Sequence, residues 1–592
     1  MIRFILTNRL IVLLFLLATV IYGIYSFLKL PVDTFPDPTP VQVIIYTETP
    51  GLSAEETEVL VTKPIESVMG GIKNVEKVLS ISLPGLSYVS VFFKDDTDIY
   101  FARSQVSQKL SEAQALLPAG FSPRMGPNTS GLGNVLFYAL VDTTGRYSLE
   151  DLKTLQRWKV RPLIKTVDGV EEISEWGPEK AYIVKVEPEK LLQYGISAQE
   201  VIKALENYGG VAGGGFIKTP EGDLVVRALG RYASVQDLLK VPLKKTEKSV
   251  VLLGDVAKVE EGEMPNRRGA FTLMGQEVQG NIVLKRVGTN TMELISRLKE
   301  ALREAQKLLP EGVQIQILYD QSYLTQKALS TVEKALLEGI LLVSIAIALY
   351  LWNVRVALLV ALSVPLTLLI TFTVLKELGM SANLMTMGGL AIGIGLFADA
   401  TVVVVENIYR HLNERLNVSK FSMVINSVQE VARPLIFAVS IIAVVFLPIF
   451  TFESVEGKYY KPLALTIIIA LFSSLFVAFV FMPVLSFWFL KEGKEETRIF
   501  ALLRKSYLAL LERAFSFKYV ILSLSLLSFV FSLFLLTRIG KEFAPPLEEG
   551  AVIVKSFLDP NVSLEEAKRV AQIVEETALK YPEVIRTFSN IG

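Results

Sequence analysis

Seven stretches of this 592-residue chain are apolar enough and long enough to cross a bilayer, and they set its fold class before any motif is read. A hydrocarbon core needs roughly 20 mostly apolar residues in a helix, because each backbone N–H and C=O must be satisfied within the segment. The stretches are Leu10–Leu28, Ala335–Trp352, Val356–Leu375, Leu384–Val405, Pro434–Phe452, Leu463–Leu490 and Tyr519–Thr537. The first contains no charge, follows Arg3 and Arg9, and lacks a small-residue cleavage site, so it reads as an uncleaved anchor. Leu463–Leu490 is longer than a bilayer requires and should tilt or project beyond it.

Basic residues orient the spans. The 491–518 stretch carries Lys491, Lys494, Arg498, Arg504, Lys505, Arg513 and Lys518, and the loop expected after the fourth span carries Arg410, Arg415, Lys420 and Arg433. The positive-inside rule places both in the cytoplasm, and counting back places the N-terminus there too. The chain then divides into a first span (1–29), an extracytoplasmic segment (30–334), spans two to six (335–490), a cytoplasmic linker (491–518), a seventh span (519–537) and a second extracytoplasmic segment (538–592). Within the linker, Ile499–Phe515 sets apolar residues at helical spacing among basic ones. It reads as a helix lying on the membrane lipid surface, with a solvated linker helix as the plainer alternative.

Composition narrows the chemistry. Basic and acidic residues balance at 60 each, so no basic stripe calls for nucleic acid as a partner. With no cysteine and one histidine, disulfides, thiolate metal sites and histidine clusters are excluded within this chain, and no cofactor is expected.

The segment from 30 to 334 alternates helix and strand patterns. Ser53–Met69 opens with Ser53-Ala-Glu-Glu, a cap followed by first-turn carboxylates. Val75–Ser82 and Tyr88–Phe93 read as strands around Pro84-Gly85, then Ser148–Thr166 as a helix and Val170–Glu175 and Ala181–Val186 as strands. Ser197–Asn207 and Met292–Leu308 read as further helices. The expectation is a polytopic α-helical membrane protein with large α+β sandwiches of βαβ type outside the cytoplasm. The run Gly209–Gly215 has no Lys-Ser/Thr and no leading apolar strand, so it is read as a flexible connection or subunit-docking loop rather than a phosphate loop.

The chain also begins to repeat itself. Phe35-Pro-Asp-Pro, a strand, Pro50-Gly-Leu-Ser-Ala-Glu-Glu, a helix and Asn74-Val-Glu-Lys-Val follow the first span. Phe543-Ala-Pro-Pro, a strand, Pro560-Asn-Val-Ser-Leu-Glu-Glu, a helix and Pro582-Glu-Val-Ile follow the seventh. Parallel repeats of this kind are a transporter habit. The expectation is one full repeat and the start of a second, completed by the rest of a longer protein or by a second polypeptide.

The chemistry concentrates in the fourth span, Gly388-Gly-Leu-Ala-Ile-Gly-Ile-Gly-Leu-Phe-Ala-Asp399-Ala-Thr-Val-Val-Val-Val-Glu406-Asn407. A carboxylate at the bilayer centre costs about 2.5–3.5 kcal/mol on insertion scales. Hydrocarbon favours the neutral acid, so such a group can take up and release a proton. Asp399 is therefore the candidate proton relay, against the plainer reading of a neutral Asp bonded to a neighbouring helix. Glu406 lies two turns further along the same face and is a possible secondary relay, or else part of a solvated helix end. Gly388, Gly389, Gly393 and Gly395 permit close helix approach.

Read together, Leu30-Pro-Val-Asp-Thr-Phe-Pro-Asp37, Pro84-Gly-Leu-Ser87, Gly254-Asp-Val-Ala257, Tyr319-Asp-Gln-Ser322, Asp399 to Asn407, Ala432-Arg-Pro434 and Phe446-Leu-Pro448 resemble the resistance–nodulation–division exporters, and among them the heavy-metal efflux branch. The resemblance covers essentially the whole chain. It implies a proton antiporter of the bacterial inner membrane, a homotrimer whose outer porter and docking segment meets a periplasmic adaptor (membrane fusion protein) and an outer-membrane channel. Asp399 matches the family's proton-carrying Asp. The divalent-metal exporters carry another Asp six residues earlier, where this chain has Gly393, a pattern closer to exporters of monovalent copper and silver. The resemblance puts the family's metal-binding Met residues in the second outer segment, so no metal ligand is assigned here. A multidrug or lipid exporter of the same superfamily, or a non-transporting scaffold subunit of an efflux complex, is the alternative.

The orientation is testable. A periplasmic reporter fused near Gly215 and a cytoplasmic reporter fused near Lys494 should both be active; a cytoplasmic signal at Gly215 would overturn the seven-span arrangement.

Overall fold

The computed structural model describes the whole chain except residues 1, 34, 210–212, 221, 228–230, 246–248, 266, 268, 352, 414–418, 491–497, 541–549 and 560–561. Arg415, Lys491, Lys494 and the Phe543-Ala-Pro-Pro sequence therefore lie outside the described residues. Two compact units emerge. Unit 1 comprises residues 1–132, 287–293 and 321–554, and unit 2 comprises 133–286, 294–320 and 555–592.

Unit 1 holds the apolar helices: α1 (Arg9–Lys29), α2 (Gln321–Leu351), α3 (Val354–Glu377), α4 (Leu384–Asn413), α5 (Lys420–Phe446), α6 (Ser454–Phe476) and α7 (Lys518–Leu536). Six helical runs among the described residues have the length and hydropathy to cross a membrane. Residues 335–351 of the stretch expected at 335–352 form the C-terminal part of the longer α2. Two expected boundaries change. Arg410 lies on α4, and Lys420 and Arg433 on α5, so these three basic residues belong to helices rather than to a loop. Both helices outlast their apolar runs because their polar ends bond to one another, with Asn407 Nδ2 donating to Ser427 O at 2.8 Å. The sixth run also outgrows its expectation, continuing unbroken as helix from Ser454 to Phe489.

Local chemistry explains these helices. Asn353 caps α3 by accepting from Arg355 N and Val356 N. Asn383 Oδ1 accepts from Met385 N and Thr386 N, both at 3.0 Å, and so caps α4. Buried Ser363, Thr367 and Thr371 return their hydroxyls to carbonyls three or four residues back, so α3 carries no unpaired hydroxyl at these positions. Three times a helix widens to a π turn just before an X-Pro pair: Glu58–Thr62 before Lys63-Pro64, Gln156–Val160 before Arg161-Pro162, and Val477–Phe481 before Met482-Pro483. Proline has no N–H for the carbonyl four residues back, and its ring crowds that carbonyl. In each case the residue before proline bonds five residues back instead.

Unit 1 also contains a four-stranded antiparallel sheet of β1 (Gln42–Glu48), β2 (Val75–Leu83), β3 (Leu86–Phe93) and β4 (Arg124–Met125) in the order β2-β3-β1-β4. Gly85 makes the β2–β3 turn at φ +77°, as Pro84-Gly85 foretells. Val43, Ile45, Val89 and Val91 face a core closed by Val61, Ile65 and Met69 from one helix and Ala102 and Val106 from another. The first of these helices is capped by a Ser53–Glu56 box, as its sequence leads one to expect. β1 and β2 run parallel but are separated by β3, a split form of the expected βαβ unit.

Unit 2 contains a second antiparallel sheet, of β5 (Asn134–Asp142), β6 (Val170–Trp176), β8 (Gln279–Lys285) and β9 (Val313–Asp320) in the order β9-β5-β8-β6; β7 (Ala270–Leu273) lies outside this sheet. The helical run 149–165 and residues Leu294, Ile295, Leu298 and Leu302 cover it. Of the glycine run, residues 210–212 lie outside the described residues, and residues 213–215 form the start of a strand, Gly213–Thr219, hairpinned to Gly222–Arg227, rather than a flexible connection.

The repeat is half realised. Ser563 caps the helix Leu564–Ala578, as Ser53 caps its counterpart. The strand expected before it is not formed among the described residues, since 551–559 have no ladder and Val552 and Phe557 are about nine-tenths exposed. β1 is a strand because β3 and β4 pair with it on both sides; among the described residues nothing pairs with 551–559. Further along, Phe588–Ile591 forms β10, which pairs with β7.

Glu575 fastens that helix within unit 2. It is 2% exposed, and its carboxylate accepts from Thr272 Oγ1 at 2.5 Å, Gly275 N at 2.6 Å and Ser589 Oγ at 2.5 Å. Replacing it with alanine removes the acceptor of one buried donor, Thr272 Oγ1, and of two half-buried ones. Glu575→Ala should cost about 1–3 kcal/mol and expose the 564–592 segment to limited proteolysis of the full chain; an unchanged cleavage pattern would contradict this role.

Candidate functional site

α4 is the helix on which both candidate carboxylates lie, and Asp399 is the sixteenth of its thirty residues. One face is packed: Leu390, Ile394, Phe397, Ala400, Val404 and Ile408 are buried among α2, α3, α5 and α6. The other face runs through Gly388, Ile392, Gly395, Asp399, Val403, Glu406 and Arg410, at steps of three and four residues. Ile392 is 65% exposed, Asp399 and Arg410 are exposed, and Glu406 is half-buried. No described residue covers the middle of this stripe.

The four glycines divide between the two faces. A Cβ on Gly389 would lie 2.9 Å from Leu463 O, so α4 and α6 meet there backbone to backbone. A Cβ on Gly393 would lie 2.0 Å from Phe397 Cζ, so this glycine makes room for a ring one turn further on. Gly388 and Gly395 meet nothing within 4 Å and belong to the uncovered face. The expectation of close approach therefore holds at Gly389, takes a different form at Gly393, and has no counterpart at the other two among the described residues.

Neither Asp399 nor Glu406 has a hydrogen-bond or ion-pair partner among the described residues. The plainer reading of Asp399, a carboxyl bonded to a neighbouring helix, is thus not realised within them. The structure keeps both carboxylates on one face but joins them through no shared contact. Sequence reasoning passed over a third carboxylate. Glu430 on α5 accepts from Asn407 Nδ2 at 3.1 Å and pairs with Arg410 at 3.2 Å and His411 at 3.4 Å. Its signal was a lone acid between Ser427 and Arg433 in a stretch taken for loop. Among the described residues no three His, Cys, Asp or Glu side chains come together as a metal site.

Comparison with known proteins agrees with this architecture. The family model described as the AcrB/AcrD/AcrF family matches residues 1–592. The chain is 36% identical over 610 residues to the "Cation efflux system protein CzcA" of Alcaligenes sp. (strain CT14), covering 100% of this chain and 57% of that protein. It is 37% identical over 601 residues to the "Cation efflux system protein CusA" of Escherichia coli (strain K12), covering 99% of this chain and 57% of that protein. A crystal structure of a heavy metal efflux pump (crystal form II) superposes with a TM-score of 0.87 at 29% identity, again across 100% of this chain and 57% of the other. The chain thus spans a little over half the length of these relatives.

The Gly393–Phe397 fit can be probed directly. Gly393→Ala should force the Phe397 ring out of its position and lower stability by about 1–3 kcal/mol, read as a fall in Tm in detergent, whereas Gly395→Ala should leave Tm nearly unchanged. Equal effects at the two positions would refute the assignment of faces.

Proposed function

The chain belongs to the AcrB/AcrD/AcrF family, and on that footing we propose that it acts in a proton-driven transporter that exports heavy-metal cations from the bacterial inner membrane. The observation that carries this reading is Asp399, an acid at the middle of a membrane-length helix, on a face no described residue covers. An uncompensated carboxylate is costly in hydrocarbon. A polar or protonatable partner on that face would offset the cost, and the remaining length seen in the relatives is a source for it. Proton entry then proceeds by uptake at Asp399 from one side of the membrane and release to the other. The acid and its carboxylate differ in what they can pack against, so each proton biases the position of α4.

Glu406 is proposed as a secondary relay. It lies near the clamp formed by Glu430, Asn407 and Arg410, which holds the ends of α4 and α5 together. The positive-inside orientation makes this the cytoplasmic end. The names of the relatives support a cation as substrate. Phe397 fills the space that an acid at position 393 would require, which favours the single-Asp pattern and a monovalent ion such as copper(I) or silver(I). The same kinship supports a trimer working with a periplasmic adaptor and an outer-membrane channel, with the 30–334 segment as porter and docking region and the Gly213–Arg227 hairpin as a docking element.

In the complete transporter, Asp399→Asn should abolish pH-gradient-driven metal flux into vesicles, with expression and assembly unchanged. Asn preserves size and most hydrogen bonding but carries no exchangeable acid proton. Glu406→Gln should reduce flux more mildly. Near-normal flux with Asp399→Asn would route the proton elsewhere and sink the reading.

A further inference from the structure

Within unit 1, the apolar helices grip the residues that lead into β1 at two separate places. The first is at the start of α4. Ala382, next to the capping Asn383, donates from its N to Pro31 O at 2.7 Å and accepts from Asp33 N at 3.1 Å. The second is on α6. Lys458 Nζ donates to Thr39 O at 2.8 Å and pairs with Asp95 Oδ1 at 2.8 Å. The neighbouring Tyr459 ring stands edge-on to Phe35, with centroids 6.1 Å apart.

The two partners of Lys458 occupy one end of one ladder. Gln42 and Phe92 are paired across β1 and β3. Thr39 lies three residues before Gln42, and Asp95 three residues after Phe92. One ammonium group therefore holds both the entry to β1 and the exit from β3. Charge-assisted bonds of this kind are roughly twice as strong as neutral ones, and the Lys458 side chain is only 23% exposed.

The chain between the two grips is stiff. Pro31, Pro36, Pro38 and Pro40 fix four φ angles in ten residues. Proline-rich segments act as semi-rigid spacers. Asp33 adds a further tie by accepting from Thr291 Oγ1 at 2.7 Å, and Thr39 Oγ1 accepts from Gly131 N at 3.0 Å. A slide of α4 against α6 is thereby carried from both grips toward the β1–β3 end. α4 and α6 also meet backbone to backbone at Gly389 and Leu463, five residues (roughly 7.5 Å) along α6 from Lys458.

We propose that Lys458 is a coupling residue, which carries relative motion of α4 and α6 through residues 31–40 into the β1–β3 sheet. It makes no contact with Asp399 and acts by position alone. The proposal rests on the reading of Asp399 as the proton carrier for its input, but the joint itself can be driven without it.

The test uses the full 592-residue chain in lipid nanodiscs, with hydrogen–deuterium exchange read over residues 31–48 and 86–95. Two inputs are applied: Asp399→Asn, which removes the acid, and Gly389→Ala, which wedges α4 from α6 while leaving the Asp399 acid in place. Each should shift exchange in these windows. Both shifts should vanish in a Lys458→Met background and persist with Lys458→Arg. Should Lys458→Met fail to fold by size-exclusion, Asp95→Asn serves as the second break. Shifts that survive loss of the Lys458 contact, or no shift with Gly389→Ala, overturn the joint. A Lys458-dependent shift with Gly389→Ala but none with Asp399→Asn leaves the joint standing and removes Asp399 as its input.

Discussion

The close approach of α4 and α6 is the contact on which the rest of unit 1 depends. With Gly389 against the Leu463 backbone, α4 has a fixed rotation about its own axis. Asp399 lies ten residues on, roughly 80° short of three full turns at 3.6 residues per turn. That rotation sends Phe397, Ala400 and Val404 inward and leaves Asp399 on the uncovered side. A bulkier residue at 389 would push the helices apart and loosen the placement of every side chain on α4.

Hydrocarbon imposes a second discipline, since polar backbone groups must be satisfied locally. It accounts for the back-bonded hydroxyls of α3 and for the helical continuity from Ser454 to Phe489, where Pro483 is accommodated by a π turn rather than by a break. The same device recurs at Pro64 and Pro162 in the two helices that cover the sheets. The chain thus uses one local device at these three prolines in apolar and aqueous surroundings alike, whereas Pro365, Pro434 and Pro462 lie inside α-helices without a π turn. The shared cause is the missing N–H, which does not depend on solvent.

Much of the fold was legible in the sequence because the signals were local. Ser53, Ser148, Ser197 and Ser563 each cap the helix that follows them, and Pro84-Gly85 makes a tight turn. The central position of Asp399 in its helix followed from counting apolar residues. The legible part stopped where partners decide. Residues 551–559 read like β1 but have no neighbouring strand among the described residues, and Lys420 to Arg433 read like loop but form the start of α5, where Ser427 and Glu430 bond to α4. Lys458 gave no sign in sequence, since its partners Thr39 and Asp95 lie more than 360 residues away.

By itself the sequence determined the number and approximate limits of the apolar segments, the α+β nature of the rest, and the presence of one acid in the middle of a span. These are consequences of hydropathy and backbone chemistry, which act over a few residues. Only the tertiary structure decided which face of α4 is buried, why Gly389 and Gly393 have no side chain, and that the stiff 31–40 segment is held at both ends by the apolar helices. Those outcomes depend on contacts between residues far apart in the chain, and such distances become short only when the helices pack.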